Sequence, residues 1–443
     1  MMFQYTSKNC YIEKTSNSIT KKIIANKKLF SEIDSTCFEQ LNNISKLPNI
    51  HNEIIGLSDL HVGYGVPIGS VFASPVDNGI ISPEAVGFDI GCGISFIKTN
   101  LYKKDLDLST LKKISMALEK LPLGLSTKGH SLSKSDFSKI LETGVSWSIE
   151  NNFLEKKDIK NIEYKGCFKT ANTKHLSKES KLRGITEIGT LGQGNHFIDL
   201  LVIDDIFDKA YLKKLKLEKD QYVIMLHSGS RGFGHQIAND FSKNFKYKDP
   251  ISYDYFNTKN AQAYFESMSC AVNFAFVNRS VLSQYIKDAI SKTLEIKDLK
   301  FNLVSDSIHN VATIEKHKNK KLIVHRKGAS RAYLNKPIIL PGSMQAKTHI
   351  LKPTKKISDT LESVAHGSGR RLSRQRAKDE ITITNLQKNL LKDNIILSGR
   401  SQNLMREEQP NAYKDSLSVV ESMEGYGLVK KTASLKPKLV ITG

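Results

Sequence analysis

Apolar residues in this chain follow two rhythms. Between Glu53 and Asn100 they come in short β-type runs broken by glycine, IIGLSDLHVGYGVPIGSVFAS and AVGFDIGCGISFIKT, which predict strands joined by tight turns. HFIDLLVID (196–204), QYVIMLH (221–227) and KLIVHRK (321–327) read as further strands. Helical spacing shows in SEIDSTCFEQLNNI (31–44), through Ile33, Phe38 and Leu41, and in Leu111, Ile114 and Leu118 behind the N-cap candidates Ser109 and Thr110. The long stretch from Ala261 to about Ile290 also reads as helix. Strands and helices alternate irregularly with no fixed repeat period, so the expected fold is a mixed α/β (α+β) one, central β-sheets flanked by helices, and not a solenoid.

The polar residues 1–52 are expected to pack as an N-terminal subregion on a main domain spanning 53–443, with no convincing linker between them. Residues 125–182 are rich in Lys, Ser and Asn with weak periodicity. They read either as an exposed insertion facing a partner or as a solvated helical excursion.

Composition adds a partner class. At 39% hydrophobic and 25% charged residues over 443 positions, the chain is that of a folded protein. Its 66 Lys+Arg against 45 Asp+Glu give a formal charge of +21, which favours polyanions, nucleic acid first among them, over the alternative of a lysine-rich solubilising surface. Cys10, Cys37, Cys92, Cys167 and Cys270 are too scattered for a disulfide framework or a CxxC zinc module, so a reducing cytoplasm is the expected compartment. No run has the signal-peptide pattern or the ~20 apolar residues of a membrane span.

Candidate chemistry lies in glycine- and serine-flanked sites. In DIGCG, Asp89 and Cys92 could bind one divalent ion, and a thiolate can bridge two, although a buried core cysteine is the commoner reading. LGQGNHFID offers Asn195 and His196 after a glycine-rich turn suited to phosphate, and MLHSGSRGFGH delivers His227 beside Ser228, Ser230 and Arg231. His309 and Asn310 precede the basic cluster Arg326, Lys327 and Arg331; His309 reads as a ligand or as a hydrogen-bonded core histidine. His366 is followed by Gly367, Ser368 and Gly369 and then by Arg370, Arg371, Arg374 and Arg376. A neutral imidazole in such company can attack an α-phosphate and form a phosphoramidate.

The strings DLHVGYGVPIGSV, AVGFDIGCG, LGQGNHFID, LHSGSRG, HN at 309–310, HRKGAS, PGSM, AHGSGRRLSR and AYKD resemble, in this order, the RtcB-type RNA-splicing ligases from about residue 53 onward. The resemblance implies a 3′-phosphate/5′-hydroxyl nucleic acid ligase that uses GTP and two Mn2+ ions. It places the metal ligands at Asp89, Cys92, His196, His227 and His309, and the guanylylated nucleophile at His366. It implies nucleotide contacts at Asn195, His196, Phe197, Ile198, Asp199, His309, Asn310, Pro341, Gly342, Ser343, Met344, Thr348, His366, Gly367, Ser368, Gly369 and Tyr413. Partners implied are RNA ends, from tRNA splicing or RNA repair, and an archease-type activator.

Four positions depart from the family pattern: Asp199 stands for Glu, Gln345 for Gly, Thr348 for Ser, and Thr442 for a lysine that reaches the nucleotide. Two alternatives to the ligase therefore stay open, a dinuclear phosphoesterase that opens RNA ends without nucleotidyl transfer and a catalytically silent RNA-binding protein.

Overall fold

The computed structural model describes residues 3–124 and 127–443; Met1, Met2 and the first two positions of the 125–182 segment lie outside the described residues. Two large sheets organise the chain. The first has seven strands in the order Gln4–Ser7, Cys10–Lys14, Thr20–Ile24, Glu53–His61, Ile68–Pro75, Lys320–Lys327 and Asn310–His317. It is antiparallel except where Thr20–Ile24 lies parallel to Glu53–His61, so the three strands between Gln4 and Ile24 continue the sheet formed by later parts of the chain. The second has eight strands: Asn302–Ile308, Gly93–Tyr102, Gln221–Ser228, Phe197–Ile206, Val429–Thr442, Thr348–Pro353 and Ile338–Leu340, with Ile396–Gly399 added parallel to Val429–Thr442.

The apolar run QYVIMLH is continuous, not alternating, because its strand is buried at every position. Ile224 and Leu226 enter the core shared with the long helix, while Val223 and Met225 enter the core on the opposite face with Phe96 and Ile203. Two covered faces explain why this strand carries no polar side.

The helix predicted from 261 to 290 spans Lys259–Leu294, capped by the Thr258 side chain accepting from the Ala261 N–H. It is apolar nearly all round because the second sheet lies on one side and the Arg231–Asn244 and Lys134–Thr143 helices on the other. The 125–182 segment forms short helices whose Phe137, Ile140, Leu141 and Trp147 are buried, Phe137 packing 5.7 Å from Phe233 and 6.3 Å from Phe274. One side of that segment is therefore core, and its lysines occupy the other. The Leu108–Leu118 helix begins two residues earlier than its apolar stripe suggests: Asp107, not Ser109 or Thr110, accepts from the Thr110 N–H at 2.7 Å and caps it. No helix among the described residues is long and apolar enough to cross a membrane.

The helix buries two amides and a guanidinium, and each is hydrogen-bonded. Asn273 donates to the Leu141 and Phe168 carbonyls. Asn278 accepts from the Gly189 and Thr190 N–H groups and donates to the Thr190 and Gly229 carbonyls and to Ser228 Oγ. Arg279, fully buried, holds Asp306 through Nη2–Oδ1 at 2.6 Å and Nε–Oδ2 at 3.0 Å, and its Nη1 donates to the carbonyls of Gly91 and Ser228, both at 3.0 Å. Removing one partner strands a buried charge. Arg279→Met is expected to cost about 3–5 kcal/mol in a denaturant melt, and adding Asp306→Leu to recover part of that loss. An Arg279→Met protein as stable as the parent would show that the pair does not anchor these loops.

Candidate functional site

Four chain segments meet where the two sheets adjoin. Asp89 and Cys92 sit on the turn between the Pro83–Val86 helix and the Gly93–Tyr102 strand, a turn closed by the Cys92 N–H donating to the Asp89 carbonyl at 3.1 Å. His196 immediately precedes the Phe197–Ile206 strand, and His227 lies near the end of its neighbour, paired with Phe197 in register. His309 occupies the single residue between Asn302–Ile308 in the second sheet and Asn310–His317 in the first, and its N–H donates to the Cys92 carbonyl at 2.9 Å. Gly229 is needed here for its bareness: a Cβ would stand 2.3 Å from Asp89 Oδ1.

The side chains converge on one sulfur. Cys92 Sγ lies 3.1 Å from His227 Nε2 and 3.4 Å from His196 Nε2; His196 Nε2 is 2.8 Å from Asp89 Oδ2, and His227 Nε2 is 3.3 Å from His309 Nε2. Two donor groups result, Asp89–Cys92–His196 and Cys92–His227–His309, each with its donor atoms within 4.8 Å of one another and both using the same thiol. His227 Nδ1 donates to the Asn195 carbonyl at 2.8 Å, which fixes the tautomer that leaves the Nε2 lone pair free. His196 Nδ1 lies 2.9 Å from the Leu191 carbonyl, with Arg231 Nη1 crowding it at 3.0 Å.

Electrostatics fits a cation. Burial, reinforced by neighbouring imidazoles, pushes His227 and His309 well below the usual histidine range, so both are neutral donors with no proton to displace. Burial alone would raise Asp89, but the interaction and hydrogen bond with His196 and the nearby Arg231 guanidinium win and hold it below the ordinary carboxylate range; its Oδ1 is buried without a partner. Burial and the Asp89 charge push the Cys92 thiol well up, so a thiolate there requires a positive charge brought to it. A soft sulfur, three imidazole nitrogens and an unpartnered carboxylate oxygen suit one or two divalent transition-metal ions.

His366 adjoins this cluster, its ring 4.7 Å from that of His309. Asp59 Oδ2 accepts from His366 Nδ1 at 2.7 Å, from the His366 N–H at 3.0 Å and from the Gly367 N–H at 3.3 Å. The carboxylate thereby assigns the proton to Nδ1 and leaves the Nε2 lone pair free. Asp59 carries no role in the sequence reading; an acid inside the apolar run IIGLSDLH, where a strand should be buried, is the signal that could have found it.

A cavity of about 430 Å³ joins these groups. The metal-ligand candidates, His366 and every proposed nucleotide contact except Ile198 and Thr348 line it. Ile198 points the other way, since strand alternation sends it into the core beneath the sheet while Phe197 and Asp199 face the cavity. Thr348 is buried behind the wall, where its hydroxyl accepts from the Gly342 N–H at 3.3 Å and braces the Pro341–Met344 loop.

The arginines are less free than their sequence suggests. Arg326, expected on phosphate, is wholly buried and paired with Glu315, because the strand carrying it is interior to the first sheet. Of the four arginines after His366, only Arg370 and Arg374 reach the cavity, and Arg370 is already bonded to Glu408 at 3.0 Å beneath the Tyr413 ring. Ser228 Oγ serves the Leu191 carbonyl at 2.8 Å and not an anion.

The family model described as tRNA-splicing ligase RtcB matches residues 40–443. The chain belongs to the RtcB family. It is similar to the proteins named tRNA-splicing ligase RtcB from Methanococcus maripaludis, at 35% identity over 94% of this chain and 93% of the relative, and from Archaeoglobus fulgidus, at 34% over 94% and 93%. The Nanoarchaeum equitans protein of that name is 34% identical over 96% of both chains. The RtcB match begins inside the Ser35–Ser45 helix and takes in the second sheet and four of the seven strands of the first, and the mixed α/β fold expected from the alternation of strands and helices is the one observed.

A thiol common to both donor groups has a countable consequence. Protein stripped by chelation and returned to Mn2+ is expected to hold about two ions per chain, His309→Ala about one, and Cys92→Ala well under one, as counted by atomic emission. Full metal content in Cys92→Ala would overturn the shared-sulfur arrangement.

Proposed function

We propose that this chain is a GTP- and Mn2+-dependent RNA ligase that joins a 3′-phosphate or 2′,3′-cyclic phosphate end to a 5′-hydroxyl end through GMP carried on His366, in tRNA splicing or RNA repair. The observation carrying this reading is the Asp59–His366 pair, set against the cysteine–histidine cluster in one cavity. A histidine whose Nδ1–H is held by a carboxylate presents a free Nε2 lone pair, and beside a cluster of metal donors that nitrogen is placed to attack a phosphorus.

His366 Nε2 attacks the α-phosphorus of GTP; a P–N bond forms, the P–O bond to the β-phosphate breaks, and pyrophosphate leaves. Asp59 stabilises the positive charge that spreads over the ring as this happens. An oxygen of the RNA 3′-phosphate next attacks the same phosphorus, and the imidazole departs neutral. The 5′-hydroxyl then attacks the activated 3′-phosphorus; the phosphodiester P–O bond forms, the P–O bond to GMP breaks, and the hydroxyl proton passes to the departing GMP, a 2′,3′-cyclic end having first been opened by water to the 3′-phosphate. Asp89, Cys92 and His196 would hold one metal ion, and Cys92, His227 and His309 the other. When bound, the pair supplies positive charge to the phosphate oxygens.

The departures from the family pattern fall unevenly. Gln345 is exposed and donates to Asp393 at 2.6 Å, away from the cavity, and so does not argue against nucleotide entry. Asp199 and Thr442 both line the cavity, each buried with an unpartnered oxygen, and burial pushes Asp199 well above the usual carboxylate range. These oxygens, diagonal to one another on neighbouring strands with Asp199 opposite Val440 and Thr442 opposite Phe197, suit the N–H edge of a guanine.

Incubation with α-labelled GTP and Mn2+ is expected to leave an acid-labile label on the denatured chain, absent in His366→Ala. Asp59→Asn is expected to slow labelling on the order of 100-fold with metal content unchanged. Label persisting in His366→Ala would exclude this histidine. Opening of a cyclic phosphate with neither label nor joined product would make the chain the phosphoesterase.

A further inference from the structure

The loop between Glu53–His61 and Ile68–Pro75 presents Tyr64 at 71% exposure, the highest among the large hydrophobic side chains described. A solvent-exposed aromatic on a slack loop would mean little, but this loop is fastened at several points. Lys327, itself buried, donates from Nζ to the carbonyls of Tyr64 at 2.7 Å and Val66 at 2.8 Å. Gln40, from the Ser35–Ser45 helix, donates to the Gly63 carbonyl and accepts from the Gly63 N–H at 3.3 Å. The path also needs both flanking glycines: a Cβ at Gly63 would lie 2.3 Å from the Val66 carbonyl oxygen, and Gly65 sits at φ +68°.

The Tyr64 ring meets Phe88 edge to face, centroids 5.4 Å apart at 77°, and both line the cavity that holds His366. Phe88 is followed directly by Asp89 of the donor cluster. This wall comes from the first sheet's loop and the Asp89 turn, whereas Asp199, Val440 and Thr442, which face the proposed guanine, come from the second sheet. Lys327, which reaches this loop from the end of the Lys320–Lys327 strand, is committed to its backbone carbonyls. What Tyr64 and Phe88 offer a ligand is an aromatic surface at the rim, next to the donor cluster and His366.

We propose that Tyr64 is the stacking platform for the nucleobase at the RNA end brought to His366, an inference that rests on the ligase reading. The end's phosphate must approach His366 and the metal donors, and its attached base then needs a neutral planar contact at the rim. An aromatic ring supplies that to any base, because every base has a π-face, and the contact is accordingly tolerant of sequence. Tyr64 acts here as a positioning residue for the joining steps and takes no part in the attack on GTP.

The test compares the full-length parent, Tyr64→Ala and Tyr64→Phe in two measurements: labelling by GTP, and binding of a 3′-phosphorylated single-stranded RNA by fluorescence anisotropy at fixed salt. Tyr64→Ala is expected to weaken RNA binding roughly 5- to 100-fold, the range of one lost base stack, with Tyr64→Phe close to the parent. Labelling is expected to be the same in all three. An RNA whose terminal nucleotide lacks its base should erase the difference between the parent and Tyr64→Ala.

Equal RNA affinity in the parent and Tyr64→Ala overturns the proposal and returns the patch to some other partner. Loss of labelling in Tyr64→Ala with RNA binding intact also overturns it, by moving the base of the GTP onto this ring. Absence of labelling in the parent sinks the ligase reading instead, which the RNA-binding comparison distinguishes from failure of the stacking platform.

Discussion

The site depends on the buried contacts that Asn278 and Arg279 make from the middle of an otherwise apolar helix. Between them they hold the carbonyls of Thr190, Gly91, Ser228 and Gly229, residues that lead into or out of His196, Cys92 and His227. Each ligand loop alone is a glycine-rich turn with little to fix it. Their common attachment to one rigid helix converts three separate turns into a single frame. Asp306 completes the frame by neutralising Arg279, with a hydroxyl of Ser95 on its other oxygen. A polar residue without its partner there would cost about 1–3 kcal/mol, so the frame is specified as well as held.

The junction of the two sheets does the rest. His309 stands where the chain leaves one sheet for the other, and the Asn310 side chain then ties back, donating to the Asp89 carbonyl at 3.0 Å and accepting from the Gly328 N–H at 2.9 Å. His366 arrives from a third direction, directly after the short Ser363–Ala365 strand that pairs with Ala329–Arg331. Donor atoms from remote parts of the sequence thus reach one cavity through backbone register and not through long flexible side chains.

Much of this was legible in the sequence because the chemistry is flagged locally. Cys92, His196, His227 and His309 each lie among glycine, serine or asparagine at the edge of a β-type run, and the long helix declares itself through the length of its pattern from Ala261 to about Ile290. What stayed hidden depends on partners far away in the chain. Arg279 reads as a stray charge until Asp306 is placed beside it, and Asp59 reads as an awkward strand residue until His366 arrives, 307 positions later. Arg326 read as a phosphate ligand for the same reason, its partner Glu315 being invisible without the register of the first sheet. Ile198 is different, since strand alternation alone was enough to separate it from Phe197 and Asp199.

The three bonds that Asp59 makes to His366 and Gly367 clamp imidazole and backbone together. A residue fastened in this way is no swinging arm. It cannot collect a nucleotide in one place and deliver it in another, so in the proposed reaction both partners must visit one fixed nitrogen in turn. The space vacated by pyrophosphate becomes the space the RNA phosphate enters, and the order of events follows from occupancy: the departure of the first product is the gate for the second substrate.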